Sequence, residues 1–219
     1  MDIVIAGGHG RIALRLMRLL TARGDRVRGL IRNPDHAADL EAAGSESVLC
    51  DLELNPDIQT AIGAADAIVF AAGAGAGSGV TRKHTMDRDG ALKLIDAAKA
   101  GGISRYLMIS TFHAEEPRGD EVFQAYMRAK AEADAALRES GLDYTILRPG
   151  RLTDESGTGR VNLARRLKGA DVPRDDVAAV LRACLDDPRT IGRQWELTRG
   201  ETPIADAISM AATAGNGEG

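Results

Sequence analysis

The sequence predicts an α/β fold in a single domain, with a mostly parallel, doubly wound sheet covered by helices on both faces. Two observations support this. Short apolar runs of strand length alternate with segments of helical periodicity, and glycine or proline stands at most of the junctions. Such alternation indicates successive βαβ units, in which helices connect neighbouring parallel strands. The 219 residues contain no internal repeat and no linker that would divide the chain.

The first half of the chain predicts four strands and three helices. The strands cover residues 2–6, 27–31, 47–50 and 67–70, and the helices cover residues 11–23, 34–43 and 56–62. In the first helix, Ile12, Leu16 and Leu20 recur at helical spacing, and Gly24 follows where a helix-ending glycine is favoured. Asn33-Pro34 begins the second helix, because proline fits the first helical position.

The second half continues this alternation up to Pro149 and is less regular beyond it. Strands are predicted at residues 105–109, 143–147 and 194–198, and helices at residues 83–100, 121–140 and 175–185 and from Pro203 onward. We expect residues 1–211 to form the domain, with the elements after residue 150 shaping a substrate pocket. Residues 212–219 are expected to be a flexible tail, since the final Gly215-Asn216-Gly217-Glu218-Gly219 has no apolar face.

Composition and charge argue against several classes of function. A net charge of −4 and only 3% aromatic residues are unlike a nucleic-acid-binding surface. No apolar run is long enough to span a membrane, and Met1 leads directly into a strand, so a cytoplasmic protein is expected. Cys50 and Cys184 are expected to be reduced thiols. Neither these cysteines nor His84 has a second ligand at metal-binding spacing, so no metal site is predicted.

The turn between the first strand and the first helix carries the strongest functional signal. It reads Gly7-Gly8-His9-Gly10-Arg11-Ile12-Ala13, which is G-x-x-G-x-x-A from Gly7 and G-x-G-x-x-A from Gly8. A helix start offers free N–H groups and a partial positive charge to a diphosphate. A glycine-rich turn that binds nothing is the alternative, but the position directly after the first strand favours a dinucleotide. The expected contacts are Gly7, His9, Gly10, Arg11 and Ile12.

The end of the second strand is expected to select the form of the nucleotide. In NAD-binding proteins an acidic residue here accepts hydrogen bonds from the ribose, whereas this sequence has Arg32. A guanidinium suits a 2′-phosphate, because it forms two charge-assisted bonds. The predicted cofactor is therefore NADP, with NAD as the alternative and a preference of roughly 10- to 100-fold. An arginine that is merely solvated would carry no such preference.

Two further segments follow strands and are expected to contact the nucleotide. Asp51-Leu52 follows the third strand, where the carboxylate could accept a hydrogen bond from the adenine amino group. An aspartate that only caps a turn or a helix is the alternative. Ala71-Ala72-Gly73 follows the fourth strand, and its small residues would let the backbone pass beneath a ribose.

Together these motifs resemble the atypical short-chain dehydrogenase/reductase superfamily. Within it the chain is similar to the small NAD(P)H-binding proteins grouped with NmrA-like and flavin-reductase/biliverdin-reductase-B-like proteins. The resemblance spans about residues 1–210 and implies a Rossmann fold, with the cofactor across the carboxyl ends of the strands. The motifs that carry it are residues 6–13, Arg32-Asn33-Pro34, Asp51-Leu52, Ala71-Ala72-Gly73, Asp87-x-x-Gly90, Ser110-Thr111 and Leu147-Arg148-Pro149-Gly150. Pro149 is expected beside the cofactor.

Tyr126 and Lys130 form a Y-x-x-x-K pair that matches the superfamily's catalytic pair. Helix positions four apart share a face, so both side chains can reach one site. A nearby ammonium favours the phenolate form of a tyrosine, which could then exchange a proton with a substrate carbonyl. The resemblance implies that Lys130 also holds the nicotinamide ribose and that Ser110 hydrogen-bonds the carbonyl. A purely structural role on a strong helix former is the alternative. The superfamily's Asn-Asn-Ala-Gly segment is Ala71-Ala72-Gly73 here, so part of its proton relay is missing.

The leading hypothesis is an NADP-dependent oxidoreductase that transfers hydride to a small carbonyl, quinone or flavin-like acceptor. An NADPH-binding regulator without turnover and a sugar-type epimerase that retains its NAD(P) are the alternatives. The expected partner is a small-molecule substrate, and the protein is expected to be a monomer or a homodimer. His113 could line the mouth of the substrate pocket, although a histidine in an exposed loop is the commoner explanation. If Arg151, Arg160 and Arg165 converge on that pocket, the substrate is anionic; if they are solvated, they indicate nothing.

Overall fold

The computed structural model describes residues 1–75 and 77–214. It confirms the predicted α/β class, with one large, mostly parallel sheet between two layers of helices. The strands are β1 (Asp2–Ala6), β2 (Arg26–Ile31), β3 (Glu46–Leu49), β4 (Ala67–Phe70), β5 (Arg105–Ile109), β6 (Asp143–Pro149), β7 (Arg151–Thr153), β8 (Arg160–Ala164), β9 (Asp171–Pro173), β10 (Arg193–Arg199) and β11 (Thr202–Pro203).

Helices connect most of these strands. The α-helices are α1 (Arg11–Thr21), α2 (Ala37–Ala42), α3 (Ile58–Ile62), α4 (Val80–Arg82), α5 (Ala91–Ala100), α6 (Glu121–Glu139), α7 (Arg174–Asp186) and α8 (Ile204–Ala214). A π-helical segment, Lys83–Gly90, joins α4 to α5, and 3₁₀ turns occupy Pro34–His36 and Pro188–Thr190.

The nine strands of the large sheet run in the order β11-β8-β10-β6-β5-β4-β1-β2-β3. The seven from β10 to β3 are parallel, while β8 and β11 add antiparallel pairs at one edge. The central order 3-2-1-4-5-6 is that of the Rossmann fold, in which the order of strand addition reverses between β1 and β4 while the strands stay parallel. The carboxyl ends of these strands meet at one edge, and the candidate site lies there. The short β7 and β9 pair separately beside it.

Each central strand is buried on both faces, which explains why it is apolar throughout. In β1, Ile3 and Ile5 contribute to one core cluster and Val4 and Ala6 to the other, as the two-residue period of a strand requires. Helices α1, α7 and α8 cover the first face, and α3, α5 and α6 cover the second. The sheet that carries the candidate site is therefore packed against helices on both faces.

The strands β1 to β6 and β10 and the long helices lie within a residue or two of their predicted positions, except at two helices. The predicted helix 34–43 opens as a 3₁₀ turn, and the helix predicted from Lys83 begins at Val80 and passes through π-helical turns. The sequence did not indicate β7, β8, β9 or β11, because strands of two to five residues between loops have no clear periodicity. Helix α8 includes residues 212–214, which were assigned to the tail; residues 215–219 lie outside the described residues.

Both cysteines are free and buried, as predicted. Burial raises the pKa of Cys184 to about 12 and also raises the pKa of Cys50, so both thiols stay protonated near neutral pH. Within the described chain, the helices are too short or too polar to cross a bilayer.

Candidate active site

The turn between β1 and α1 has glycine where a side chain would not fit. Gly7 has a φ of +77°, and a Cβ atom there would lie 2.6 Å from the Cα of Ala72. A Cβ atom on Gly8 would lie 2.9 Å from the Cα of Gly29. These glycines therefore let the turn pack directly against the strands on either side of β1. Gly10 precedes α1 without a side-chain cap, so the first N–H groups of the helix remain open to a ligand.

A cavity of about 440 Å³ lies beside this turn, and we call it the nucleotide cavity. It lies at the carboxyl ends of β1, β2, β3 and β4. It brings together nine of the predicted cofactor residues, namely Gly7, His9, Gly10, Arg32, Asp51, Leu52, Ala71, Ala72 and Gly73. The structure adds His36, Arg82 and Met86, which the sequence analysis did not select. Its volume is that of a small-molecule pocket.

Arg32 lies at one end of the nucleotide cavity, with 53% of its side chain exposed. Its Nη1 is 3.9 Å from Oε2 of Glu53, which is held more tightly by Arg82 (Nη2 to Oε2, 3.0 Å) and Thr85 (Oγ1 to Oε1, 2.5 Å). Burial opposes ionisation of Glu53, but these hydrogen bonds outweigh it and lower its pKa. Arg82 thus satisfies much of the Glu53 charge, and the Arg32 guanidinium remains accessible to an anion.

Two histidines, His9 and His36, also line the nucleotide cavity. The rings of His9 and His36 stack with their centroids 3.6 Å apart, and His9 Nε2 lies 2.7 Å from Oδ2 of Asp39. Asp51 uses one carboxylate oxygen within its own turn, where Oδ1 accepts a hydrogen bond from the N–H of Glu53 at 2.9 Å. Asp51 therefore does cap its own turn, which was the alternative interpretation, and it also lines the nucleotide cavity.

A second, larger cleft of about 1340 Å³ adjoins the first, and we call it the acceptor cleft. Both cavities are lined by residues 71–75, so the chain after β4 lies between them. The acceptor cleft brings together the remaining predicted residues except one: Ile12, Ser110, Tyr126, Lys130 and Pro149. The exception is Arg11, whose side chain is 68% exposed and pairs with Asp154 (Nη1 to Oδ2, 2.6 Å). Its side chain is engaged there, while its backbone N–H lies at the open start of α1.

Tyr126 and Lys130 share one face of α6, as their spacing predicts. Lys130 Nζ lies 6.0 Å from the centroid of the Tyr126 ring. Its ammonium donates to the carbonyl oxygens of Ile109 (3.2 Å) and Ala72 (3.4 Å), and it lies 3.4 Å from Oδ1 of Asp87. Among the described residues the Tyr126 hydroxyl has no hydrogen-bond partner, and the side chain lines the acceptor cleft. Contacts within the protein thus hold the Lys130 ammonium in place, whereas the Tyr126 hydroxyl is available to form a hydrogen bond with a ligand.

Asp87 is the buried counter-charge of Lys130. It lies in the π-helical segment and is fully buried, and its Oδ2 accepts a hydrogen bond from the N–H of Ala74 at 3.2 Å. Its Oδ1 has no hydrogen-bond partner within the described chain and faces the Lys130 ammonium. In the sequence Asp87 stands only as part of the Asp87-x-x-Gly90 motif, which indicated no role for it. The contacts show that it holds both Lys130 and the segment after β4.

Ser110 belongs to a buried chain of polar contacts on the other side of the cleft. Its Oγ donates to Oδ2 of Asp134 at 2.7 Å, and the same oxygen accepts from Arg148 Nε (2.8 Å) and Nη2 (2.6 Å). Arg148 also binds both carboxylate oxygens of Glu115, at 2.7 and 2.5 Å. In this arrangement the Ser110 proton points to Asp134. The expected hydrogen bond from Ser110 to a substrate carbonyl therefore requires the hydroxyl to rotate.

The ion pair between Arg148 and Glu115 should contribute to the stability of the fold in a pH-dependent way. The hydrogen bonds from Arg148 lower the pKa of Glu115, so the pair stabilises the fold above the unfolded pKa of about 4.3 and is lost as the pH falls. Because about half of Glu115 is exposed, we expect Glu115→Gln to cost about 0.5–1 kcal/mol at pH 7. Urea denaturation of both proteins from pH 7 to pH 3 checks this. The difference should shrink as the pH falls below about 4.3 and through the lowered folded pKa of Glu115, and a difference that is the same at every pH would contradict the ion pair.

A buried carboxylate joins two segments next to the acceptor cleft, whose lining includes Phe112 and Gly169. Glu196 of β10 accepts hydrogen bonds from the N–H groups of Leu167 (Oε2, 2.6 Å) and His113 (Oε1, 3.2 Å). The His113 ring lies 3.1 Å, through Nε2, from the carbonyl oxygen of Leu167, and its backbone has a φ of +50°. His113 therefore ties two loops together rather than lining the cleft, which its neighbour Phe112 does.

Of the three arginines expected beyond β6, only Arg151 lines the acceptor cleft, where it binds Asp171 (Nε to Oδ1, 2.8 Å). Arg160 donates to the carbonyl oxygen of Glu201 at 2.6 Å instead, and Arg165 is not among the lining residues. The three arginines therefore do not converge on the cleft, because β8 carries Arg160 to the outer part of the sheet, and they give no indication of an anionic substrate.

Comparison with known proteins agrees with this geometry. A family model described as NAD(P)H-binding matches residues 7–188. YhfK of Bacillus subtilis (strain 168), named as an uncharacterized sugar epimerase, is 42% identical over 211 residues, which are 95% of this chain and 99% of that protein.

Solved structures share the fold over nearly the whole chain. One, from Bacillus halodurans, carries a name that assigns it provisionally to the NAD-dependent epimerases/dehydratases. It has a TM-score of 0.90 and 34% identity, and the match covers 96% of this chain and 99% of that one. Another is ChuY, described as an anaerobillin reductase from Escherichia coli O157:H7, with a TM-score of 0.77 and 27% identity. That match covers 91% of this chain and 97% of the other.

Proposed function

The chain belongs to the NAD(P)H-binding family, and from that membership we propose that it is an NADPH-dependent reductase of the short-chain dehydrogenase/reductase type. The proposed acceptor is a small carbonyl, quinone or flavin-like compound. One observation carries the proposal: the nucleotide cavity, which contains Arg32, adjoins the acceptor cleft, which contains Tyr126 and Lys130. A dinucleotide that spans both would bring its nicotinamide end to the tyrosine.

The residues of the nucleotide cavity fit a dinucleotide phosphate. The uncapped start of α1 offers N–H groups to the diphosphate, and the packed glycines leave no side chain in its path. Arg32 offers its guanidinium to a 2′-phosphate, with no acidic residue at the end of β2 to favour an unmodified ribose. Ala71 and Ala72 are small enough for the ribose to lie against the backbone after β4.

The residues of the acceptor cleft fit carbonyl reduction. A bound NADPH supplies the hydride. Tyr126 supplies the proton to the carbonyl oxygen, so that the substrate gains a C–H and an O–H bond and the tyrosine becomes a phenolate. The Lys130 ammonium, held by Asp87 and two carbonyl oxygens, stabilises that phenolate. Solvent then returns the proton to Tyr126.

Arg32 gives a direct test of the cofactor preference. We expect Arg32→Ala to weaken NADPH binding by roughly 10- to 100-fold while changing NADH binding little, because only NADPH carries the 2′-phosphate. Fluorescence titration with both nucleotides measures this. Arg18→Ala is the matched control, since Arg18 is an exposed arginine of α1 outside both cavities. Equal loss of both nucleotides would remove Arg32 from 2′-phosphate recognition.

A second candidate function is epimerisation with a retained nucleotide, favoured by the names of the Bacillus relatives. The two functions differ in what happens to the nucleotide. A reductase oxidises added NADPH when a suitable carbonyl, quinone or flavin is present, whereas an epimerase purifies with nucleotide bound and consumes none. Tight NADPH binding without oxidation across a broad acceptor panel would instead indicate a regulatory protein.

A further inference from the structure

A second lysine of the acceptor cleft, Lys83, is buried without a matching acid. Only 9% of the residue is exposed, and its Nζ donates to the carbonyl oxygen of Gly75 at 3.0 Å. The ammonium also lies 5.3 Å from the centroid of the Tyr126 ring. Asp87, four residues further along the same segment, pairs with Lys130 instead. Within the described chain no carboxylate forms an ion pair with Lys83.

This arrangement leaves the ammonium incompletely compensated. Burying a charge is costly unless it is paired and hydrogen-bonded. An ammonium has three donors, and one carbonyl oxygen and an aromatic ring satisfy only part of that capacity. Lys83 lines the acceptor cleft, so the unsatisfied donors can be reached by a molecule bound there. An anion would supply the missing charge.

The anion that fits Lys83 is not a cofactor phosphate. The glycine turn and Arg32 both line the nucleotide cavity, whereas Lys83 lines only the acceptor cleft, beside Tyr126. The anionic group therefore belongs to the molecule that meets the tyrosine. Since the ammonium is close to the Tyr126 ring, that group and the reacting carbonyl must lie close together in the substrate.

The other charges of the acceptor cleft, except Arg118, are already engaged. Asp120 caps α6 by accepting from the N–H of Phe123 at 2.8 Å, Asp171 binds Arg151, and Arg174 pairs with Asp154 (Nη1 to Oδ1, 3.1 Å). At the rim, Arg118 is an exposed lining cation without an ion pair in the described structure. The remaining lining includes the apolar side chains of Phe112, Val122, Phe123 and Leu152. The cleft thus combines apolar walls with cations.

We propose that the substrate is an apolar carbonyl compound that carries a carboxylate near the carbonyl, and that Lys83 binds this carboxylate while Tyr126 protonates the carbonyl oxygen. This inference rests on the proposed reductase function. Lys83 orients the substrate by a charge-assisted hydrogen bond, which holds the carbonyl oxygen next to the phenol. Arg118 attracts the anion at the entrance.

The test compares acids with their methyl esters. Phenylglyoxylate and 3-carboxybenzaldehyde are each assayed with NADPH beside the corresponding ester, in the native enzyme, Lys83→Met and Lys83→Arg. The ratio of kcat/KM for acid to kcat/KM for ester should fall by about 10- to 100-fold in Lys83→Met, as expected for one lost charge-assisted bond. Lys83→Arg should recover part of the ratio. Lys99→Met, which removes an exposed lysine of α5 outside the cleft, should leave it unchanged.

Calorimetry supplies a readout that does not depend on turnover. Phenylglyoxylate should bind the native protein with NADP⁺ present and bind Lys83→Met about 10- to 100-fold more weakly. If acid and ester lose activity equally in Lys83→Met, Lys83 acts on Tyr126 or on the fold and the carboxylate proposal is wrong. If phenylglyoxylate binds through Lys83 but no compound is reduced, the carboxylate site stands and the reductase function fails. If phenylglyoxylate binding does not depend on Lys83, the site itself is overturned.

Discussion

Replacing Tyr126 with phenylalanine is expected to lower kcat for carbonyl reduction by about 10²- to 10⁴-fold, the range for loss of a positioned general acid. The affinity for NADPH should change little, because Tyr126 lines the acceptor cleft and not the nucleotide cavity. The aromatic ring remains in Tyr126→Phe, so its contacts with Phe123 and the two lysines are kept. Stopped-flow single-turnover measurements separate the chemical step from product release.

Tyr144→Phe is the matched control for this experiment. Tyr144 is a partly buried tyrosine of β6 that lines neither cavity, so loss of its hydroxyl should leave kcat unchanged. Should Tyr126→Phe retain native kcat across the pH range, the proton comes from another donor and the Y-x-x-x-K pair is structural. A fall in NADPH affinity that matches the fall in kcat would likewise show that the variant disturbs the fold.

The largest effect on stability is expected at Arg148. In Arg148→Met, the fully buried Asp134 loses the cation that binds its Oδ2 through two hydrogen bonds. Burial raises the pKa of Asp134, and the charge of Arg148 opposes this. Removing one member of a buried ion pair typically costs about 3–5 kcal/mol, because the other charge remains buried and unpaired. Urea denaturation measures the loss as a lower midpoint at unchanged slope.

The double variant Arg148→Met/Asp134→Leu distinguishes the cost of leaving Asp134 unpaired from the cost of losing the packing of Arg148. Replacing both charges with apolar side chains removes the unpaired charge, so we expect the double variant to be more stable than Arg148→Met alone. Arg151→Met is the control for a solvated pair, with an expected cost below about 1 kcal/mol, since 79% of the Arg151 side chain is exposed. Additive costs in the double variant would show that Asp134 and Arg148 are not coupled.

The main architecture could be predicted from the sequence because its signals are local. The strands β1, β2, β4, β5 and β6 are short, mostly apolar runs with glycine or proline near their ends, as expected of strands covered on both faces. The glycine turn, Arg32 and the Y-x-x-x-K pair all depend on short spacings, and the structure places each beside a cavity. The family membership agrees with the resemblance that these motifs indicated.

The features that the sequence did not indicate depend on contacts between residues far apart in the sequence, or on a helical segment whose period is not 3.6 residues. Asp134 and Arg148 meet only because α6 packs back against the end of β6, and nothing in either segment marks the contact. In the π-helical segment a turn has more residues than in an α-helix, so a 3.6-residue period does not show which side chains of Lys83–Gly90 share a face. After Pro149 only the longer elements α7, β10 and α8 were predicted, for a third reason: β7, β8, β9 and β11 are short, and β8 pairs with β10 and β11, which lie far along the chain and hold Arg160 away from the cleft.

The nucleotide cavity and the acceptor cleft are lined largely by different parts of the chain, and Glu196 anchors the part that supplies much of the cleft. It anchors the chain at His113 and again at Leu167, and the intervening residues supply much of the acceptor cleft. No described residue beyond Met86 lines the nucleotide cavity. Changes in the lining residues between the two anchored amides, other than Tyr126, Lys130 and Pro149, can therefore alter which molecule the acceptor cleft takes while every residue that lines the nucleotide cavity stays the same. A fold built this way can vary its substrate in the second half of the chain while the first half keeps the same coenzyme.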